Sequence, residues 1–315
     1  AWYISHEKFM EPLENILSKL KLRASFGITG NDEIGSSSRF PYREALSTGG
    51  PGYNMGLTPG VNGDVTGAVG AGIIEQDFAT PNLTWERERK VNVGVDLGFF
   101  NDRLNLTVDW YKKLSNDMLM PLQLPSYMGT SGNGSSALAA PWGNYGNIEN
   151  TGWEISLNTH PIVGKFEWDS DFQISFNKNK LKGLAGTANA QIVGYGQWTD
   201  VVSVSGVGES LYNFYGYVCD GVYKDLEDLK NSPKPAKYPA NGVFNRSNTV
   251  WVGDIKYKDI SGPDGKPDGV IDEYDKTNIG SPMPKFTFGW TNTFRYQNFD
   301  LSIFINGSYG NKVYN

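Results

Sequence analysis

Cysteine is nearly absent from this chain. Cys219 is the only one in 315 residues, so no disulfide forms within it. Its ordinary reading is a small side chain packed in a loop. Histidine is almost as scarce. His6 and His160 lie far apart in sequence, and neither belongs to a Ser-His-Asp set, a Cys-His set or a zinc-binding spacing. Positive charge is in deficit: 28 Lys and Arg against 34 Asp and Glu give a formal net charge of -6. That balance argues against a nucleic-acid partner, which calls for a basic face. Gly70-Ala71-Gly72 lacks the third glycine and the helix of a dinucleotide loop. Mean hydropathy is negative and no run of eighteen apolar residues occurs, so no helix is expected to cross a membrane. A β-barrel is not excluded on that ground, because half of each barrel strand is polar.

What the chain does have is alternation. Phe286, Phe288, Trp290, Phe294 and Tyr296 share one parity, while Thr287, Gly289, Thr291, Thr293 and Arg295 take the other. Strand side chains alternate between faces, so this segment is a ribbon with one apolar and one polar side. The pattern recurs at 20–28, 91–99, 104–110, 153–157 and 166–176, and 299–309 supplies a second arm after 285–296. Arms of about ten residues suit a tilted crossing of a bilayer. Aromatics make up 13%, with nine Trp, seventeen Tyr and sixteen Phe, a supply that fits interfacial girdles or sugar stacking.

Loop lengths follow a rule of their own. The connections at 99–104, 160–166 and 296–299 are tight. Those at 30–87, 116–149 and 179–284 are long. Placing every tight turn on one side puts every long loop on the other, as in outer-membrane barrels with short periplasmic turns and longer extracellular loops. The fold class expected is all-β, an antiparallel transmembrane β-barrel. About seven strands cannot close one, and an open edge in lipid is not tolerated. No signal peptide is seen, and both ends look like interior sequence. Residues 1–315 are therefore read as an incomplete fragment of one C-terminal barrel domain, with 179–284 as a long extracellular loop region.

One segment carries recognisable ligand chemistry. Counting Asp264 as position one of a calcium loop puts Asp268 at five, Gly269 at six, the Val270 carbonyl at seven, Asp272 at nine and Asp275 at twelve. Lys266 falls where an oxygen ligand belongs, and Asp275 replaces the usual Glu. A second register begins at Asp259 and Ser261 and treats 263–267 as an insertion. Either register would place structural Ca2+ or another hard cation in the 259–275 loop, among Asp259, Asp264, Asp268, Asp272 and Asp275; the alternative is a solvated Gly/Asp/Pro turn with no ion. The charge run 86–90 reads as a solvated rim, and the Gly-rich stretch 129–133 as an external loop. Asp169 and Asp171 share the polar face of one strand. A retaining glycosidase also uses two carboxylates, but barrel polarity explains this pair without catalysis.

The stretches 253–259, 268–275, 279–289, 298–304 and 307–311, with 22–31, 83–86, 94–100 and 145–154, together resemble the C-terminal barrel of the SusC/RagA family. The resemblance covers nearly the whole chain. It implies a TonB-dependent outer-membrane importer of Bacteroidota, with a plugged barrel of about 22 strands. It also implies a SusD-like surface lipoprotein as cap, TonB as the energy source, and oligosaccharides, glycans or peptides as cargo. The TonB-contacting segment, the plug and the last strands are not in this sequence. No enzymatic role is implied. Tyr195, Trp198, Tyr212, Phe214, Tyr215 and Tyr217 are loop candidates for ligand or partner contact. The alternative reading from another class is a soluble or surface-tethered all-β glycan-binding module, which alternation alone would also fit.

Overall fold

A computed structural model describes residues 1–13, 15–33, 41–43, 45–48, 73–77, 79–121, 141–185, 190–196, 200–235 and 250–314. Its main element is an eight-stranded sheet. The strands are β1 (Trp2–Tyr3), β2 (Leu17–Asn31), β3 (Glu86–Phe99), β4 (Leu104–Pro121), β5 (Trp142–Ile162), β6 (Phe166–Leu184), β7 (Phe286–Tyr296) and β8 (Phe299–Tyr309). They run in chain order across the sheet, and every neighbouring pair is antiparallel. All seven strands expected from alternation are in it.

Short turns join β3 to β4, β5 to β6 and β7 to β8. Phe100, Asn101 and Asp102 take φ of 55°, 55° and 62°, a region Asn and Asp tolerate better than most residues. The Ser18 hydroxyl fastens that turn, donating to the Asp102 carboxylate at 2.9 Å and accepting from its backbone N–H at 3.1 Å. The long connections all leave from the opposite end, which is the extracellular end of a membrane barrel.

The apolar parity faces outward and stays uncovered. Phe26, Phe299 and Leu301 are 68%, 78% and 57% exposed. Outward side chains line up across strands: Val93 pairs with Trp110, Trp110 with Trp153, and Trp153 with Phe176. The Phe176 and Phe286 rings lie 5.9 Å apart, and Phe286 stacks on Tyr309 at 5.3 Å. A second aromatic group marks the turn end, where Phe294 stacks between Phe166 and Trp168. β7 and β8 hold 11 residues each. At ~3.3 Å per residue and the usual tilt, that length spans the ~25 Å apolar band of an outer-membrane barrel.

β4, β5 and β6 are longer, at 18, 21 and 19 residues. Past the aromatic row their polarity reverses. Lys112, Glu149, Lys178 and Lys180 now point outward. Ile148 and Leu181, paired across β5 and β6, point inward and are buried. They pack with Leu211, Met118, Leu184 and Ile192. This inner patch seats a four-stranded sheet, ordered Thr277–Gly280, Asn213–Gly216, Val201–Gly206 and Gln191–Tyr195. Two backbone bonds join Leu181 to residues 208 and 209. The strands thus run past the outward apolar band, and the connection after β6 starts at 185 rather than 179. The run 86–90 is a solvated strand entrance, with Arg87, Arg89 and Lys90 exposed, Glu88 paired with Lys113 at 2.7 Å and Arg87 with Asp117. Cys219 is exposed, not packed, because it lies at the start of the outlying Cys219–Val222 strand. Residues 70–72 and 129–133 lie outside the described residues.

Candidate functional site

Between the short turns and the Ile148–Leu181 patch the inner face of the sheet is polar with the exception of Phe304, and its groups are organised rather than scattered. Arg23 on β2 pairs with Gly94 on β3, which pairs with Asp109 on β4. Glycine leaves no side chain between them, so the Arg23 guanidinium crosses Gly94. It donates to Asp109 Oδ2 at 2.8 Å and to both oxygens of Asp96 at 2.9 Å. A Cβ on Gly94 would stand 2.3 Å from Asp109 Oδ1. Thr107 adds a donor to Asp96 at 3.2 Å. The same device recurs two strands on. Tyr111 on β4 crosses Gly152 on β5 and donates its hydroxyl proton to Asn177 on β6 at 3.1 Å. A Cβ on Gly152 would lie 2.4 Å from the Phe176 carbonyl and 2.5 Å from the Tyr111 ring. Long polar side chains reach two strands away because a glycine separates them from their partner.

Nearer the short turns, Asp169 accepts from Arg295 at 2.6 Å and contacts His160 Nδ1 at 2.6 Å. Asp171, the other carboxylate of the pair singled out in sequence, is held by Asn158. Both are tied into the wall. Between these groups lies an open hollow of about 480 Å³, lined by Thr107, Asp109, Glu154, Ser156, Gln173 and Ser175. Asp109 Oδ1 is buried with no hydrogen-bond partner among the described residues. Phe304 departs from the polar rule and lies over Gly289.

The loop candidates divide. Tyr195 and Tyr212 are exposed. Phe214 packs on Tyr314 at 6.1 Å, and Tyr217 packs on Tyr257 at 5.2 Å with the Lys276 ammonium over its other side. Burial raises the Tyr217 hydroxyl pKa. Tyr215 is half-buried, and Trp198 lies outside the described residues. The structure therefore leaves two of the six rings open, engages Tyr217 within the loop and packs Phe214 against the segment after β8.

The 259–275 segment folds around its own backbone. Asp275 is fully buried and accepts from the N–H groups of Ile260, Ser261 and Asp272 at 2.7, 3.2 and 2.8 Å. Burial pushes its carboxyl pKa up, but these donors outweigh it and hold the group below the usual carboxylate range. Asp272 caps the turn Glu273–Asp275 in a reciprocal capping box. Asp268 accepts from Val270 N–H at 2.9 Å, Asp259 accepts from Gly269 N–H, and Asp264 is exposed. Among the described residues no three His, Cys, Asp or Glu side chains are gathered as a metal site. A neighbouring carboxylate, Asp228, is held at about 2 by the Lys224 N–H, Ser232 and Lys256.

Comparison with known proteins agrees with this wall. A family model described as TonB dependent receptor-like, beta-barrel matches residues 18–315. The TonB-dependent receptor P26 of Formosa agariphila is 34% identical over 321 residues, covering 100% of this chain and 28% of that protein. The TonB-dependent receptor SusC of Bacteroides thetaiotaomicron is 27% identical, over 100% of this chain and 27% of SusC. Among solved structures, the RagAB peptide importer in its open-open state superposes with a TM-score of 0.70 at 20% identity, over 98% of this chain and 28% of that one. The chain thus spans little more than a quarter of the curated relatives it matches. With its lipid-compatible exterior and polar interior, the chain belongs to the TonB-dependent receptor β-barrel family of the outer membrane, and resembles its SusC/RagA members.

Proposed function

We propose that the full-length protein is a SusC-like importer that moves oligosaccharide or peptide cargo inward, driven by TonB and capped by a SusD-like surface lipoprotein. The observation that carries this reading is the inner face, where charges and amides are held across three strands at a time and Asp109 borders an open hollow lined largely by polar groups. Hydroxyl, amide and carboxylate groups at that density suit a polar polymer with many donors and acceptors. The relatives bearing the names SusC and RagAB peptide importer point to the same two cargo classes. No catalytic step is assigned, and its named relatives are receptors. Tyr195 and Tyr212 are the open rings on which cargo or the cap would stack.

Deletion of the gene, followed by growth on single glycans or peptides, tests this. Loss of growth on one polymer, restored by the gene, supports import. Unchanged uptake of every polymer by the deletion strain refutes it.

A hard cation at the 259–275 loop is a separate proposal, supported by Asp259 Oδ1, which is buried without a partner in a carboxylate-rich turn. Calcium should then raise the thermal midpoint of the full-length protein, and Asp259→Asn should cancel the rise. An identical midpoint with and without calcium dismisses the ion.

A further inference from the structure

Outward from the aromatic row, the sheet carries a predominantly basic patch. Lys112 on β4, Thr151 on β5 and Lys178 on β6 form one registered row, directly above Trp110, Trp153 and Phe176. The next row brings Glu149 opposite Lys180, and Lys182 follows at a bulge. Glu149 is the one acid in this patch. It takes Lys112 at 3.0 Å and reaches Lys182 at 3.9 Å. Among the described residues Lys178 makes no ion pair, and Lys180 stands across from Glu149 without a salt bridge. Four ammonium groups against one carboxylate leave a surplus of three positive charges on the membrane-facing side. On a chain of net charge -6 that concentration stands against the overall balance.

Immediately below lies an apolar dent of about 370 Å³ on the same outward face, lined by Leu22, Val93, Val95, Val108, Trp110 and Trp153. Its position is fixed by register, since Val93, Trp110 and Trp153 belong to the aromatic row and Val95 and Val108 to the row beneath. Hydrocarbon would fill it. Lysine heads on long stems place point charges at the depth where lipid headgroups begin.

We propose that this surface is a binding site for a phosphorylated lipid of the outer leaflet. An acyl chain occupies the dent, and the headgroup phosphate is held by Lys112, Lys178 and Lys180. The charge is complementary, the apolar and basic parts are adjacent in the order a lipid presents them, and both face away from the lumen. Transport cargo would not meet it. The phosphate is a lipid's rather than a free anion's because the basic row is continuous with the apolar dent.

The test uses the full-length transporter, delipidated in mild detergent and offered three probes separately: bis-phosphorylated lipid A, the same lipid after phosphatase treatment, and inorganic phosphate. Native mass spectrometry reads the bound species. The unmodified protein should retain the phosphorylated lipid alone. The triple variant K112Q/K178Q/K180Q should lose retention about tenfold or more, and K112R/K178R/K180R should keep it. Heat-modifiable migration confirms that each barrel is folded. Should the triple variant fail that check, K178Q alone serves, with a smaller loss in the same direction. Equal retention by the Gln variant, equal retention of the dephosphorylated lipid, or inorganic phosphate binding as tightly as the lipid would each overturn the assignment.

Discussion

Gly152 and Gly94 carry more of this wall than their size suggests. Each lets a long side chain pass over the middle strand and bond to the next one but one. At Gly152 the added Cβ of alanine meets the Phe176 carbonyl, and backbone cannot swing aside. Gly152→Ala should therefore cost about 1–3 kcal/mol, through strand separation and loss of the Tyr111–Asn177 bond. Thermal loss of heat-modifiable migration in detergent measures it. Arg23→Ala should cost about 2 kcal/mol, because it leaves Asp96 and Asp109, both mostly covered, facing each other without a cation. The same measurement applies, and Arg23→Lys should recover only part, since an ammonium cannot hold two carboxylates in a fork. Parity in the sequence placed these residues on the polar face. It did not show the triads, because each depends on a register across three strands that no local pattern encodes. The loop acids behave differently. Asp228 sits at about 2, below its ordinary 3.8, so its contribution is complete above pH 4 and is lost as pH falls through 2. Asp275, also depressed, acts in the same direction. Hydrogen exchange of the helix Leu226–Asn231 should speed up on acidification, whereas in Asp228→Asn it should already be faster at neutral pH and lack that rise.

Among the elements, the long strands explain both what the sequence disclosed and what it hid. Alternation is legible only where one solvent is lipid and the other water. β7 and β8 stay within that zone, so their bounds could be read almost to the residue. β6 leaves the zone after Phe176, where lysines turn outward and Leu181 turns inward, so the expected strand 166–176 stopped eight residues short of Leu184. The physical cause is a change of environment along one strand: outside, aqueous solvent replaces hydrocarbon, and inside, the four-stranded loop sheet replaces the wet lumen. Leu181 is completely buried at that junction. Leu181→Ala should cost about 2–4 kcal/mol of loop-sheet stability, with the cavity left unfilled. Limited proteolysis within 185–285 should accelerate while the heat-modifiable barrel persists. In the carboxylate loop the Asp and Gly spacing was legible, as that of a candidate cation loop. Its hydrogen bonds to backbone N–H groups were not, because several acids close in sequence read equally as ligands or as caps.

For the molecule as a whole, two edges remain open, β1 on one side and β8 on the other. Bilayer-facing edges need partners, which the rest of a barrel of this family supplies. Fold class and membrane location were readable from periodicity and loop length together, and the family model and relatives agree. Cargo identity was not readable, since a polar lumen serves sugars and peptides alike. The central claim is that one side of this sheet meets hydrocarbon and the other meets water. The most direct measurement places single spin labels along β8 of the full-length protein in native outer membranes, after Cys219→Ser removes the exposed native thiol. Labels at Leu301, Ile303 and Ile305 should be accessible to oxygen and shielded from a nickel chelate, and labels at Ser302 and Asn306 should show the reverse. Uniform access of the nickel chelate to all five positions would contradict the account.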